Sequence, residues 1–128
     1  MIEIMQGFPD QVLAVSAVGT VTDADYKKTL IPAAEDKWRR HERLRVLYHI
    51  GPRFEHFEPK AMMDDAAFGL RHARGFERMA LVTDVEWCRA AMRWMGFLVP
   101  CPSRLYRNSQ LSEAENWIRD STPVGAAP

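Results

Sequence analysis

Cysteine is almost missing from this chain: Cys88 and Cys101 are the only two among 128 residues. That excludes a disulfide framework and any cysteine-based metal spacing, and it makes a reducing cytosol the simplest compartment. An excess of one charge is missing too. Seventeen Lys and Arg face seventeen Asp and Glu, without the basic surplus of a general nucleic-acid binder, so no nucleic-acid partner is expected. Long apolar runs are absent. Val12–Val18 and its like are far too short to cross a bilayer, so no integral membrane segment is expected. Met1-Ile2-Glu3-Ile4 lacks the basic-then-apolar order of a secretory signal, and a cytoplasmic location is expected. The seven glycines are dispersed, with neither G-x-G-x-x-G nor a P-loop. No cofactor and no metal are assigned.

What is present fits one folded domain. Hydrophobic residues make up 47% and charged residues 27% of the chain, ordinary values for a globular protein. Thirteen of the seventeen cations are Arg, a residue suited to anions and interface ion pairs. Residues 1–120 read as a single domain and 121–128, small and proline-rich, as a flexible tail.

Hydrophobic periodicity gives the elements. The β-branched run Val12–Val21 is a strand, paired with Ile2–Met5 as a hairpin. Thr22-Asp23-Ala24-Asp25 is a capping box with Asp at its fourth position. Tyr26, Leu30, Ala34 and Trp38 then follow at helical spacing, with a kink or broken turn expected at Pro32. Leu44–Ile50 is a strand ended by Gly51-Pro52, and Arg53–Glu58 a loop. Pro59 opens a helix to about Arg74, with an apolar stripe of Met62, Ala66, Gly69 or Leu70, and Ala73. Phe76–Val85 is a buried strand, Asp84 caps a helix over Val85–Leu98, Ser103–Arg107 is a short strand, and Ser109–Asp120 a last helix capped by Ser109 or Ser112. The order β-β-α-β-α-β-α-β-α implies an α/β fold with a mostly parallel, four- to five-stranded sheet and helices packed against it.

Several of these segments carry a family pattern. Asp25-Tyr26 opens the first helix and Pro32 lies within it. The middle reads Phe54-x-x-Phe57-x-Pro59, then Asp65-x-x-Phe68-Gly69-Leu70-x-His72, then Phe76-Glu77-Arg78-x-Ala80-x-Val82-Thr83-Asp84-x-x-Trp87. Over roughly residues 1–120 the chain resembles the SpoIIAA-like proteins, whose fold is that of STAS domains. The resemblance implies that fold and a cytosolic bacterial setting, but no agreed activity. It also exposes a departure. Anti-anti-sigma factors of the STAS class carry a phosphorylatable Ser after the second core strand, whereas His49–His56 contains neither Ser nor Thr, so that switch is not expected here. Val99-Pro100-Cys101-Pro102-Ser103 likewise replaces the Phe-Phe-Pro usual in the family.

Reactive geometry is sparse. His72 and Asp65 lie seven residues apart on one helix, about 10 Å, too far for a direct hydrogen bond. Cys88 has no adjacent histidine, and no catalytic residue is assigned. The suggestive segment is 86–98, where only Glu86, Arg89, Arg93 and Gly96 are not apolar. A helix so apolar is either buried on several sides or presents a pocket wall or a dimer surface. Ligands of open α/β sheets gather at the carboxyl ends of strands, which places Arg53, Phe54, His56, Phe57, Asp84, Trp87 and Met95 around any site. The leading expectation is a non-enzymatic binding or regulatory module for a protein partner, a second copy of the chain as a homodimer, or a small apolar or anionic ligand. The alternatives are a small enzyme using His56 or His72 with a carboxylate, and a peripheral lipid-binding carrier that would expose the 86–98 helix.

Overall fold

A computed structural model describes residues 1–95 and 100–120, without the side chain of Met95. Five strands form one sheet in the order β1-β2-β3-β4-β5: Ile2–Ile4, Val12–Val21, Leu44–Phe57, Phe76–Thr83 and Ser103–Tyr106. The first pair is antiparallel and the other three pairs are parallel. The expected α/β sheet and its opening hairpin are therefore present.

Alternation along the strands divides the core into two layers. On one face Leu13, Val15, Val46 and Ile50 lie under α2 (Ile31–Trp38), α3 (Pro59–Arg71) and α4 (Glu86–Met95). On the other, Val12, Ala14, Leu47, Ala80 and Val82 receive Ala114 and Ile118 of α5 (Leu111–Arg119).

The capping box is realised. Thr22 Oγ1 accepts from the Asp25 amide at 3.2 Å, and Asp25 Oδ2 accepts from the Thr22 amide at 2.8 Å. The turn it caps, α1 (Asp23–Asp25), runs into a π-helical turn at Tyr26–Leu30 and then into α2. Pro32 stands at the start of α2 and cannot donate to the turn before it. A widened turn accommodates that missing bond without ending the helix.

Three readings from sequence need correction. Gly51-Pro52 does not end β3; the strand continues through Arg53 to Phe57, where a loop was expected. Pairing with β4 stops at Ile50, opposite Thr83, so Pro52 meets no partner on that side. Toward β2 the register jumps from Ala17–Ile50 to Gly19–Phe54, a bulge that Gly19 accommodates with φ +61°. Secondly, the helix after Asp84 is not capped by it. Asp84 Oδ1 accepts from the Asn108 amide at 3.1 Å and ties this loop to the turn after β5. The last helix likewise begins at Leu111 behind Gln110, with no serine cap. The tail 121–128 and the far end of the 86–98 segment lie outside the described residues.

Three arginines are buried where surface charges would be the ordinary expectation. Arg45 and Arg78 rise from neighbouring strands to the C-terminal end of α5. Arg78 Nη1 donates to the carbonyls of Trp117 (2.7 Å) and Asp120 (2.9 Å), and Arg45 Nη1 to that of Asp120 (2.8 Å). The last carbonyls of a helix point beyond its end, and the negative end of the helix dipole favours the cations. Arg89 Nη1 joins the carbonyls of Thr83 (3.1 Å) and Tyr106 (2.9 Å), clipping the ends of β4 and β5 together.

Candidate functional site

The face under α3 and α4 is not completely filled. A groove of about 260 Å³ lies between these helices and the sheet. Val46, Tyr48 and Ile50 of β3 and Met79 and Leu81 of β4 form its floor, Ala66, Phe68, Gly69 and Leu70 of α3 one wall, and Trp87, Cys88, Ala91 and Met92 of α4 the other. The extra length of β3 matters here, because it carries Phe57 to the mouth of the groove. There Phe57 meets Trp87 edge-on at 5.9 Å, Phe54 at 4.9 Å and Tyr48 at 6.5 Å between ring centroids. Trp87 and Leu70 remain 48% and 64% exposed, so the opening is rimmed by apolar side chains in contact with solvent.

One polar cluster interrupts the apolar lining. Tyr26 donates its hydroxyl proton to Asp65 Oδ1 at 2.9 Å, and the Tyr26 and Tyr48 hydroxyls are 3.1 Å apart. The single Tyr26 proton goes to the carboxylate, so Tyr48 donates to Tyr26. Each partner reaches the cluster from a different element. Tyr26 begins the π turn, Tyr48 alternates with Val46 and Ile50 on β3, and Asp65 lies one helical turn beyond the fully buried Ala61 on α3.

Asp65 has protein atoms on most sides, but its side chain is exposed where the groove opens on it. Burial pushes its carboxyl above the usual carboxylate range, and the Tyr26 hydrogen bond only partly offsets this. Burial also pushes both tyrosines above the usual phenol range and the Cys88 thiol up to about 11. All three neighbours of Asp65 are therefore neutral at physiological pH.

The raised Asp65 pKa has a consequence for stability. The folded chain holds this proton more tightly than the unfolded chain, so stability is lost as pH rises through the folded pKa, and the full loss is present above it. Asp65→Asn keeps an acceptor for Tyr26 and removes the charge. Its melting temperature is expected to exceed that of the wild type at pH 8, with the difference closing toward pH 4. A thermal-unfolding series across that range checks this; a constant or reversed difference would contradict it.

The α3 wall carries a second prediction. Gly69 sits inside the helix, and a Cβ built there meets nothing within 4 Å. Gly69→Ala is expected to stabilise the fold by about 0.5–1 kcal/mol through lost unfolded-state freedom. Chemical denaturation measures it, and a loss of stability would show that the groove wall cannot accept a methyl group.

The residues expected around a site divide sharply. Phe57 and Trp87 line the groove, and Phe54 packs on Phe57. Arg53 is exposed and reaches Glu3 at 3.3 Å, His56 is exposed on the far end of β3, and Asp84 is exposed beside Asn108. These three do not line the groove. The Met95 side chain lies outside the described residues. Of the stripe expected on α3, Ala66, Gly69, Leu70 and Ala73 line the groove, whereas Met62 is 47% exposed; the fully buried position is Ala61. Sequence reading missed Tyr26, Tyr48 and Asp65 as a cluster. The available signal was the Asp65-x-x-Phe68 spacing, which places the carboxylate on the same face as an aromatic.

The histidines do not form a catalytic pair in the groove. His72 stacks on Trp38 at 4.6 Å. His41 contacts Asp10 at 2.7 Å on the surface, where Arg40 and His41 hold the Asp10 carboxyl well below the usual range. Among the described residues, no three His, Cys, Asp or Glu side chains are grouped to hold a metal ion, and no helix is long and apolar enough to cross a membrane.

The fold is that of a small open-sheet α/β domain with helices on both faces of a mostly parallel five-stranded sheet. The chain belongs to the SpoIIAA-like family, whose model matches residues 12–119. Among solved structures it is similar to an uncharacterised protein of the DUF3478 family with a SpoIIAA-like fold from Shewanella loihica PV-4. The two share 25% identity over 92% of each chain, with a TM-score of 0.73. No curated protein matches the chain.

Proposed function

We propose that this chain is a non-catalytic binding module that takes one small apolar ligand in the groove between α3, α4 and the sheet. The observation carrying this reading is a core face left open by about 260 Å³, lined almost wholly by apolar side chains and rimmed by an exposed tryptophan. Protein cores are normally packed to crystal-like density, and a well-formed apolar concavity with few polar groups is the usual form of a small-molecule site. A 150 Å³ cavity holds benzene, so this one suits a ligand of about ten non-hydrogen atoms. A long acyl chain exceeds that space, which favours a small molecule over a lipid cargo.

An anionic ligand is disfavoured, because no Arg, Lys or His is among the residues lining the groove. Arg45, Arg78 and Arg89 each donate Nη1 to backbone carbonyls, and Arg45 Nε pairs with Glu77 at 3.0 Å. An enzyme built on His56 or His72 has no support from the groove, which neither residue lines.

Native mass spectrometry of the purified protein, followed by titration with an apolar fluorescent probe, tests the proposal. One equivalent of a retained or added apolar molecule is expected, with Kd between about 10 µM and 1 mM for ten atoms at roughly 0.4–0.7 kcal/mol per atom. Failure to bind any apolar probe at millimolar concentration would overturn it.

A further inference from the structure

Resting on that reading, we infer that the groove selects a small amphiphile with a protonated amine head, an alkylamine or arylalkylamine, whose ammonium group is held by Asp65 and whose apolar body lies against Tyr48, Phe57, Phe68 and Trp87. The argument begins with proton directions. Tyr48 donates to Tyr26 and Tyr26 to Asp65 Oδ1, at 3.1 and 2.9 Å. Two hydroxyls aligned toward one carboxylate stabilise its ionised form, and each bond polarises the next. Yet the cluster leaves that charge half served. Among the described residues the Tyr26 hydroxyl is the only hydrogen-bond partner of the Asp65 carboxylate, and no cation lines the groove.

The second carboxylate oxygen of Asp65 is open toward the groove, so a cationic group entering there finds a free acceptor. A structural role alone does not need the charge, since Asn or Gln could accept from Tyr26 equally well. A ligand ammonium supplies charge and donors together, and the surrounding aromatic rings favour a cation over an anion. A fatty carboxylate of the same size would bring a second negative charge beside Asp65.

The pH behaviour follows from the neighbours. Asp65 is faced by Tyr26 from the π turn, Tyr48 from β3 and Cys88 from α4, all neutral near pH 7. Asp65 is therefore the group that titrates in the groove. Its raised pKa means that an arriving ammonium drives proton release where the free protein is still partly protonated, so affinity rises with pH until Asp65 is fully ionised.

Calorimetric titration of the full chain with hexylamine, 1-hexanol and hexanoate at pH 7 and 5 tests this. In the wild type, hexylamine is expected to bind at least ~10-fold more tightly than 1-hexanol, as befits a charge-assisted hydrogen bond, with hexanoate weakest. The amine preference should shrink at pH 5, and Asp65→Asn should bind amine and alcohol alike. If 1-hexanol binds and hexylamine binds no better, the amine assignment is overturned while the apolar groove stands. If Asp65→Asn, shown to be folded by its melting transition, keeps the amine preference, Asp65 is not the anchor. If none of the three binds, the groove reading falls and this inference falls with it.

Discussion

Replacing Arg78 with alanine is expected to lower the melting temperature by about 10–15 °C, the largest single loss of stability foreseen for this chain. Arg78 is 1% exposed, and its guanidinium bonds the carbonyls of Trp117 and Asp120. It also lies 5.2 Å from the centroid of the Trp117 ring. Alanine removes two charge-assisted bonds, takes this donor from the Trp117 carbonyl while Arg45 still reaches that of Asp120, and opens a void between β4 and α5. Together these cost about 3–5 kcal/mol. Arg78→Met separates the contributions, because it restores much of the volume without the donors and should recover only part of the loss. Thermal and urea unfolding of both variants provide the check. A melting point within 3 °C of wild type for Arg78→Ala, a shift under about 1 kcal/mol for a domain of this size, would show that the end of α5 does not depend on this cation.

Filling the groove should have the second large effect, on binding instead of stability. Ala91 faces the groove from α4 and is half-buried. An indole at this position would take the space in which a ligand of about ten atoms lies. Ala91→Trp is therefore expected to weaken binding of an apolar probe at least ~100-fold while its circular dichroism and melting transition stay close to wild type, since the added side chain enters existing space. Arg93→Trp, exposed on the same helix, is the control and should bind normally. Equal binding by Ala91→Trp and wild type would place the ligand elsewhere on the protein.

The architecture was largely legible because its signals are local. The β-branched run Val12–Val21, the Thr22 capping box and Pro59 at a helix start each depend on a few neighbouring residues, and each is found where it was read. The extension of β3 was hidden because Gly51-Pro52 normally punctuates a strand. It does not here, since β4 has already ended opposite Ile50, and that fact belongs to another segment. The site was hidden for the same reason. Tyr26, Tyr48 and Asp65 are 22 and 39 positions apart along their two hydrogen bonds, and charge alone assigns Asp65 to the solvent side of its helix. Arg78 left a faint trace: it alternates in step with the buried Ala80 and Val82, a position where period two asks for an apolar side chain.

The π turn at Tyr26–Leu30 gives the first helix one residue more than regular winding would use. Each residue of an α-helix turns the chain by about 100°. Dropping a residue from this segment would restore even winding and swing the Tyr26 phenol away from Asp65, while the sheet behind it stayed paired. Length changes at this place would therefore act on the polar cluster at the groove before they act on whether the chain folds, and the proposed ligand preference would change with them.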